Sequence, residues 1–250
     1  ANIVLDPLDK ELERRGHHHA RYADDFIILV RSAKAAQRVM QSVTRHVEDE
    51  LKLTVNPLKS KCGPLAQSAF LGFQINSRGQ VKWTAKAYTR FKQRVREVTR
   101  RNRGHAVQDV INELRRYACG WMNYFGISHT YREVLELDDW TRRRVRLYYW
   151  KQWKRPRARR RNLIKLGIHP SEVHQASRSR KGYWRMSQNK LVRIALNNRV
   201  LKERGVPDLR RPCRDSGIHE AKPHRRADEG GNYLDQAASR GGDESQSSVI

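Results

Sequence analysis

The sequence predicts an α+β fold, in which an antiparallel sheet with helices on one face is followed by an all-α region and a disordered tail. Three observations support this prediction. Two β-hairpin patterns lie in residues 1–83, apolar residues recur every three or four positions in residues 84–211, and residues 212–250 are rich in Gly, Ser, Asp and Glu without apolar periodicity. These three ranges are the predicted domains.

Two amphipathic helices are predicted in the first domain. Leu5, Leu8 and Leu12 mark one face of a helix that ends near Gly16, because glycine readily adopts the left-handed conformation that ends many helices. A second helix is predicted over residues 34–53. Its apolar stripe consists of Ala36, Val39, Met40, Val43, Val47 and Leu51.

The sheet is predicted from short segments between and after these helices. Tyr22-Ala23-Asp24-Asp25 forms the turn of a buried hairpin whose second strand is the apolar run 26–30. Residues 53–55 are predicted to form another short strand. A second hairpin joins residues 70–75 to residues 81–83 through a turn in which Gly79 supplies a left-handed residue.

Three long helices are predicted in the second domain, with a shorter one at 191–203. The first two carry the stripes Tyr88, Phe91, Val95 and Val98, then Val107, Val110, Ile111, Leu114, Tyr117 and Ala118. The aromatic segment 120–125 is typical of a core, although a base-stacking surface is the alternative. In the third helix, 135–153, apolar residues are expected to pack while four arginines project outward. The packing residues are Trp140, Leu147, Tyr148 and Trp150, and the arginines are Arg142, Arg143, Arg144 and Arg146.

Positive charge is concentrated in the second domain. The chain has 52 Lys and Arg against 26 Asp and Glu, and residues 84–211 alone carry +24 of the net +26. Such a surplus exceeds what solubility requires and indicates a polyanionic partner. The densest run is predicted to contact phosphates, the alternative being a solvated charge block. It contains Lys154, Arg155, Arg157, Arg159, Arg160 and Arg161.

Other classes of protein are not supported. The chain has no apolar run of 18 or more residues and no secretory leader pattern, so we expect a soluble, intracellular protein. Its three cysteines are far apart and form no Cys-x-x-Cys pair, which argues against a structural zinc site.

The adjacent carboxylates of Asp24 and Asp25 are the strongest candidate for chemistry. Paired carboxylates on a buried hairpin are costly unless a cation compensates them, and Mg²⁺ prefers oxygen ligands, of which one or two are protein carboxylates. Asp-Asp is also ordinary turn chemistry, which is the alternative. If both lie in the tight turn, they can face one metal region.

The motifs together resemble the reverse transcriptases of bacterial group II introns, which also act as maturases of their own RNA. Tyr22-Ala23-Asp24-Asp25 is similar to the catalytic signature of that family. Further similar segments, spread over about residues 1–205, are Asn56-Pro57-Leu58-Lys59-Ser60, Phe70-Leu71-Gly72-Phe73, Gly120-Trp121, Tyr124-Phe125, Trp153-Lys154-Arg155-Pro156 and Gly182-Tyr183-Trp184-Arg185-Met186-Ser187.

The resemblance implies a partial polymerase palm in the first domain and a thumb and maturase region in the second. It implies two-metal nucleotidyl transfer with Mg²⁺, in which Asp24 is the main ligand and Asp25 assists. Tyr22 and Ala23 then lie beneath the primer end. Lys59 is the candidate for neutralising the triphosphate, with Lys61 as the substitute and a surface lysine as the alternative.

The resemblance also implies partners: group II intron RNA, an RNA template with a DNA primer, and dNTPs, in a bacterial cytoplasm. A further metal-binding Asp and the fingers of the family have no match in this sequence, so we expect the C-terminal half of a longer protein with little polymerase activity alone. The alternative function is a non-catalytic RNA-binding splicing factor that acts only through the basic helical domain.

Overall fold

The computed structural model describes residues 2–76 and 78–211, and the predicted tail lies outside the described residues. Within these ranges the chain divides into two compact units, one reaching Thr84 and the other starting at Ala85. The first unit mixes helices and strands, and the second is helical among its described residues. The predicted α+β class is confirmed.

The first unit opens with a helix and a hairpin that share one core. The elements are α1 (Asn2–Arg14), β1 (His18–Tyr22), β2 (Asp25–Leu29), α2 (Ala33–Arg45), β3 (Phe73–Ile75) and β4 (Val81–Trp83). A π-helical turn, His46–Glu50, continues α2, and a 3₁₀ turn, Leu65–Gln67, precedes β3. The core cluster consists of Leu5, Leu8, Leu12, Ile28, Val43 and Val47, as the predicted helical stripes require.

The end of α1 follows the prediction. Gly16 has a φ of +70°, its amide donates to the Glu13 carbonyl over 2.9 Å, and the His17 amide donates to the Leu12 carbonyl over 3.0 Å. This pair of bonds is the Schellman motif, which satisfies carbonyls that the helix leaves free. The chain therefore turns sharply into β1.

Two details of the predicted sheet are wrong. The described strands form two separate two-stranded antiparallel sheets, β1 with β2 and β3 with β4, and not one sheet. Residues 53–55 are not a strand, because no other strand of the described residues runs beside them to supply backbone partners. The Val55 side chain instead packs against the core cluster.

The second unit contains eight helices among its described residues. They are α3 (Ala85–Val98), α4 (Val107–Phe125), α5 (Tyr131–Gln152), α6 (Pro156–Lys165), α7 (Pro170–Ser177), α8 (Tyr183–Met186), α9 (Lys190–Ala195) and α10 (Asn198–Glu203). Phe91, Val95 and Val98 of α3 are fully buried, as are Ile111 and Leu114 of α4. The predicted stripes therefore build the core.

Three boundaries differ from the prediction. The third long helix starts at Tyr131, four residues before the predicted start. The aromatic segment 120–125 belongs to α4. The predicted last helix is broken into α9 and α10, because the Asn197 side chain accepts a hydrogen bond from the Val200 amide and so caps a new helix. No described helix is long and apolar enough to span a membrane.

Candidate functional site

The first candidate site is the turn between β1 and β2. Tyr22 pairs with Asp25, so Ala23 and Asp24 are the two turn residues, and Ala23 has a φ of +56°. Two-residue hairpin turns favour positive φ because it matches the twist of the strands. Asp25 is thus the first residue of β2, whereas the sequence placed it in the turn.

The turn is exposed, which corrects the prediction of a buried carboxylate pair. Asp24 and Asp25 are both exposed, and the Tyr22 ring is 67% exposed. Only the far part of β2 enters the core, where Ile27 and Ile28 are buried. The desolvation argument for a compensating cation therefore does not apply, and the case for a metal rests on the donor groups.

Arg21 holds the turn in place. Its Nη1 donates to the Ala23 carbonyl over 2.7 Å and to Asn2 Oδ1 over 3.0 Å. Its Nε and Nη2 donate to the Asp9 carboxylate, with Nε at 2.8 Å from Oδ1 and Nη2 at 2.5 Å from Oδ2. One guanidinium thus joins the backbone of the turn to α1. The fork of arginine fits such a bidentate carboxylate contact.

Asp9 and Arg21 were not predicted as functional residues. Hydrogen bonding to Arg21 lowers the pKa of Asp9 below its usual value of 3.8, so the pair stays charged near neutral pH. A weak signal was available in the sequence: Asn2 and Asp9 are seven residues apart and therefore share a face of α1. Nothing local, however, indicated that this face meets Arg21.

The carboxylates of Asp24, in the turn, and Asp25, at the start of β2, fit a divalent cation by the chemistry of their donors. Both offer hard oxygen ligands that are adjacent in the chain and open to solvent. Within residues 2–76 and 78–211, no group of three or more His, Cys, Asp or Glu side chains is arranged to hold a metal ion. Asp24 and Asp25 are therefore two candidate oxygen ligands and do not form a complete metal site among the described residues.

Lys59 lies in a turn that Asn56 organises. Asn56 Oδ1 accepts a hydrogen bond from the Leu58 amide over 3.0 Å, and the Asn56 carbonyl accepts from the Lys59 amide over 3.1 Å. Both Lys59 and Lys61 are exposed. The turn gives Lys59 a defined backbone position and leaves its side chain exposed. Its role in neutralising the triphosphate stays a prediction.

The second candidate site is the cationic surface of the second unit, where two predicted arginines are not on the surface. Arg142 is 2% exposed, and its Nε lies 2.8 Å from Asp138 Oδ2. Its Nη2 lies 3.4 Å from Asp208 Oδ1, and the Leu209 amide donates to Asp138 Oδ1 over 3.1 Å. We call Asp138, Arg142, Asp208 and Arg210 the ion cluster; it ties α5 to the segment after α10.

The predicted outward projection is thus wrong for Arg142, and it is wrong for Arg146, which is 9% exposed. Four arginines within five positions of α5 cannot all face solvent, because a helix turns about 100° per residue. Charged residues inside must find partners, and the ion cluster supplies them for Arg142. Burial raises the pKa of Asp138 even so.

Arg143 and Arg144 are half-buried and bonded to neighbouring helices. The Arg143 guanidinium lies 3.5 Å from the ring centre of Trp184, and its Nη2 donates to the Trp184 carbonyl over 3.3 Å. Arg144 Nε donates to Thr99 Oγ1 over 2.8 Å. Both arginines fasten α5 to other elements, so neither projects freely outward.

The run around α6 is exposed with one exception. Lys154, Arg155, Arg157, Arg160 and Arg161 are exposed. Arg159 lies 4.8 Å from the ring centre of Trp150, and its Nε donates to the Trp153 carbonyl over 3.0 Å.

Because Arg159 is occupied inside the protein, we define the α6 basic face as the five exposed cations of this run.

Aromatic packing explains most of the segment 120–125. The Trp121 ring centre lies 4.7 Å from that of Phe91 and 4.6 Å from that of Phe125. The Phe91–Trp121 contact joins α3 to α4, whereas the Trp121–Phe125 contact lies within α4, and both support the core interpretation. Tyr124 is 49% exposed, which leaves one ring of the segment open to solvent.

Each candidate site lies in a segment that matches a known family. Residues 1–75 match the family model described as reverse transcriptase (RNA-dependent DNA polymerase). Residues 88–167 match the model described as group II intron, maturase-specific domain. No curated protein matches the chain.

A polymerase segment followed by a maturase domain defines the class as a reverse transcriptase with an RNA-splicing function. The chain belongs to the reverse transcriptases and maturases encoded by group II introns. By family it is an RNA-directed DNA polymerase, and the family binds intron RNA and uses a divalent metal.

Proposed function

We propose that this polypeptide binds group II intron RNA through the α6 basic face and so acts as a splicing maturase. The observation that carries the proposal is the exposure of five cations in eight consecutive positions, Lys154–Arg161, inside the segment that matches the maturase model. Buried anchors hold this face in place: Leu163 of α6 is fully buried, and Arg159 bonds inward. A rigid cationic surface suits the phosphates of a folded RNA.

The proposal is tested by removing charge from the face. We expect the triple variant Arg157→Ala/Arg160→Ala/Arg161→Ala to bind a transcribed group II intron RNA at least about tenfold more weakly. The slope of log affinity against log salt concentration should fall by the amount that corresponds to roughly two to three phosphate contacts. A filter-binding titration at several salt concentrations measures both quantities. The matched control is Arg31→Ala/Lys34→Ala/Arg38→Ala, which removes the same charge from exposed positions of the first unit.

If the two triple variants lose equal affinity, then net charge alone explains binding and the α6 basic face is not the site. A splicing assay with the same RNA separates binding from function. A variant that binds normally but no longer promotes splicing would also contradict the proposal.

We further propose that Asp24 and Asp25 hold Mg²⁺. Both carboxylates are exposed, and Arg21 links the backbone of the turn, at the Ala23 carbonyl, to Asp9 of α1. A bound Mg²⁺ supplies charge neutralisation at the phosphates of a dNTP. The chain itself presents the ligands, keeps the turn rigid through Arg21, and offers Tyr22 and Ala23 as a surface for the primer end. Lys59 is proposed to contact the triphosphate. We also propose that the protein encounters its RNA template and DNA primer in a bacterial cytoplasm.

Primer extension with Mg²⁺ and dNTPs separates the two functions. Extension that Asp24→Asn abolishes assigns a catalytic role to the turn. If there is no extension while intron RNA binding and splicing persist, the alternative holds, in which this polypeptide is a non-catalytic splicing factor. Comparing primer extension by Lys59→Ala and by Lys61→Ala shows which of the two lysines contributes to nucleotide addition.

A further inference from the structure

Arg146 is a buried cation without an acidic partner. Its Nε donates to the Leu196 carbonyl over 2.9 Å and its Nη2 to Asn198 Oδ1 over 3.1 Å. Within the described residues, no carboxylate lies at ion-pair distance from it, in contrast to Arg142, and Nη1 has no bond. Burial, followed by the charge of Arg193, lowers the pKa of Arg146. An anion from outside the protein would stabilise a guanidinium in this position.

Arg146 lines an open groove of about 780 Å³ in which cations predominate. Lys190, Arg193 and Arg199 also line it, together with asparagine and glutamine side chains, and no acidic residue is among its lining residues. We call it the cationic groove. Arg199 pairs with Glu203 over 2.9 Å. Arg193 and Lys190 are therefore the exposed cations of the groove that are best placed to bind a phosphate.

A second hollow of about 450 Å³ continues from this groove, since Arg146, Gln188, Arg193 and Asn198 line both. Its other lining residues differ in character. They are Glu136, Asp139, Trp140 and Arg143. We call this hollow the acidic pocket after Glu136 and Asp139, which the groove lacks; Arg143 and the shared Arg146 and Arg193 line it as well. Both volumes fall in the range of roughly 300–1,000 Å³ that is usual for small-ligand sites.

We propose that the cationic groove and the acidic pocket together hold one unpaired nucleotide of a single-stranded nucleic acid. The phosphate lies in the groove on Arg146 and Arg193, because charge-assisted bonds to phosphate are strong and Lys190 adds a further cation there, whereas Glu136 and Asp139 line only the pocket. The base lies in the pocket. This subsite rests on the proposed function, since it presupposes that the chain binds nucleic acid.

The acidic pocket also implies a choice of base. Glu136 and Asp139 accept hydrogen bonds but donate none, and they suit the exocyclic amino group of cytosine, adenine or guanine. Thymine and uracil present no amino group. One face of the planar Arg143 group stacks on Trp184, and the other face offers a flat surface against which a base can stack. The Trp140 ring, which Lys92 and Arg96 approach from α3, lines the same pocket.

Fluorescence anisotropy of the full chain with labelled oligodeoxycytidine and oligothymidine of equal length tests the subsite. We expect about fivefold or greater preference for cytidine. Arg193→Ala should weaken both oligonucleotides alike and reduce the salt dependence by about one phosphate, whereas the control Arg78→Ala, at an exposed hairpin turn, should not. The double variant Glu136→Ala/Asp139→Ala should keep thymidine binding and remove the preference. Oligocytidine and oligouridine in RNA should show the same difference, because the amino group is the distinguishing feature.

Arg193→Ala is used because Arg146→Ala also breaks two bonds that hold α9 and α10. If the natural chain binds nucleic acid while neither Arg193→Ala nor the double variant changes the affinity or the preference, the subsite is wrong and the proposed function stands. If a glutamate-rich peptide displaces the oligonucleotide at equal concentration, the groove binds anions without a nucleotide, which also overturns the subsite. A chain that binds neither intron RNA nor any oligonucleotide contradicts the proposed function itself.

Discussion

Helices α5 and α6 are neighbours in the chain and each carries a cluster of arginines, yet most of these arginines behave in opposite ways. On α5, Arg142 and Arg146 are buried and bonded to other parts of the second unit. On α6, Arg157, Arg160 and Arg161 are exposed. Clustered arginines in a sequence can thus either hold a fold together or face a ligand.

The difference follows from the position of each helix in the unit. Helix α5 is the most buried helix of the second unit, with eleven buried residues in its 22 positions, and a charged side chain among these eleven needs a partner inside the protein. Helix α6 has one buried residue, Leu163. Arg157, Arg160 and Arg161 are exposed to water, where a charge has no need of a partner.

The largest expected effect is on Arg142. Arg142→Ala removes the nearest charge partner of the buried Asp138 and leaves Arg210 at 3.6 Å, and we expect a loss of about 3 kcal/mol in the free energy of unfolding of the second unit. Denaturant unfolding followed by tryptophan fluorescence measures it, since five of the six tryptophans lie after Ala85. The control is Arg157→Ala, for which we expect less than about 0.5 kcal/mol. Equal losses would show that burial does not distinguish the two helices.

Arg21 is an arginine of the first unit that, like Arg142 of α5, is bonded to other parts of the protein. Arg21→Ala removes the link between the turn and α1, and we expect the β1–β2 amides to lose protection and to exchange at least about tenfold faster. Hydrogen exchange measured by NMR reports this loss directly. If the turn stays protected without Arg21, the strand pairing alone fixes it.

The same pair predicts a dependence on pH. Because folding lowers the pKa of Asp9 from 3.8, its contribution to stability is complete above that value and disappears as the pH falls through the lowered pKa. Protection of the hairpin, corrected for the intrinsic exchange rate, should therefore fall in acid for the natural chain. Asp9→Asn should show a smaller fall, and an unchanged fall would assign the acid sensitivity to other groups.

Arg159 is the exception on α6 and sharpens the comparison within one helix. We expect Arg159→Ala to destabilise the second unit by about 1–2 kcal/mol, because the stack on Trp150 and the bond to the Trp153 carbonyl are lost. Its effect on RNA affinity should be smaller than that of Arg160→Ala. Calorimetry and filter binding on the same two proteins compare them, and the reverse order would exclude Arg159 as an internal anchor.

The smallest effect is expected at Arg143. Arg143→Lys keeps the charge but replaces the flat group that lies 3.5 Å from the Trp184 ring centre, where Trp184 is 38% exposed. We expect a loss of about 0.5–1 kcal/mol in the stability of the second unit. Chemical unfolding against the natural chain measures it. No change at all would mean that the stack contributes nothing beyond the charge.

Local patterns predicted most of the fold. The leucine stripe of α1, the Gly16 ending, both hairpins and the stripes of α3 and α4 depend on contacts between residues close in the sequence, or on the period of a helix. The missing strand at 53–55 shows the limit of this reasoning. A strand needs a neighbour, and the sequence of those three residues carries no information about whether one is present.

The sequence by itself determined the class of this protein. The Tyr22-Ala23-Asp24-Asp25 motif, its hairpin and the basic helical region are readable without coordinates, since each is a short pattern with its own local chemistry. Only the tertiary structure decided which charges are available. It placed Asp24 and Asp25 in solvent, joined Arg21 to Asp9, and put Arg142 and Arg146 inside the second unit. The burial of a charge depends on which distant segments pack over it, and that is a property of the folded chain.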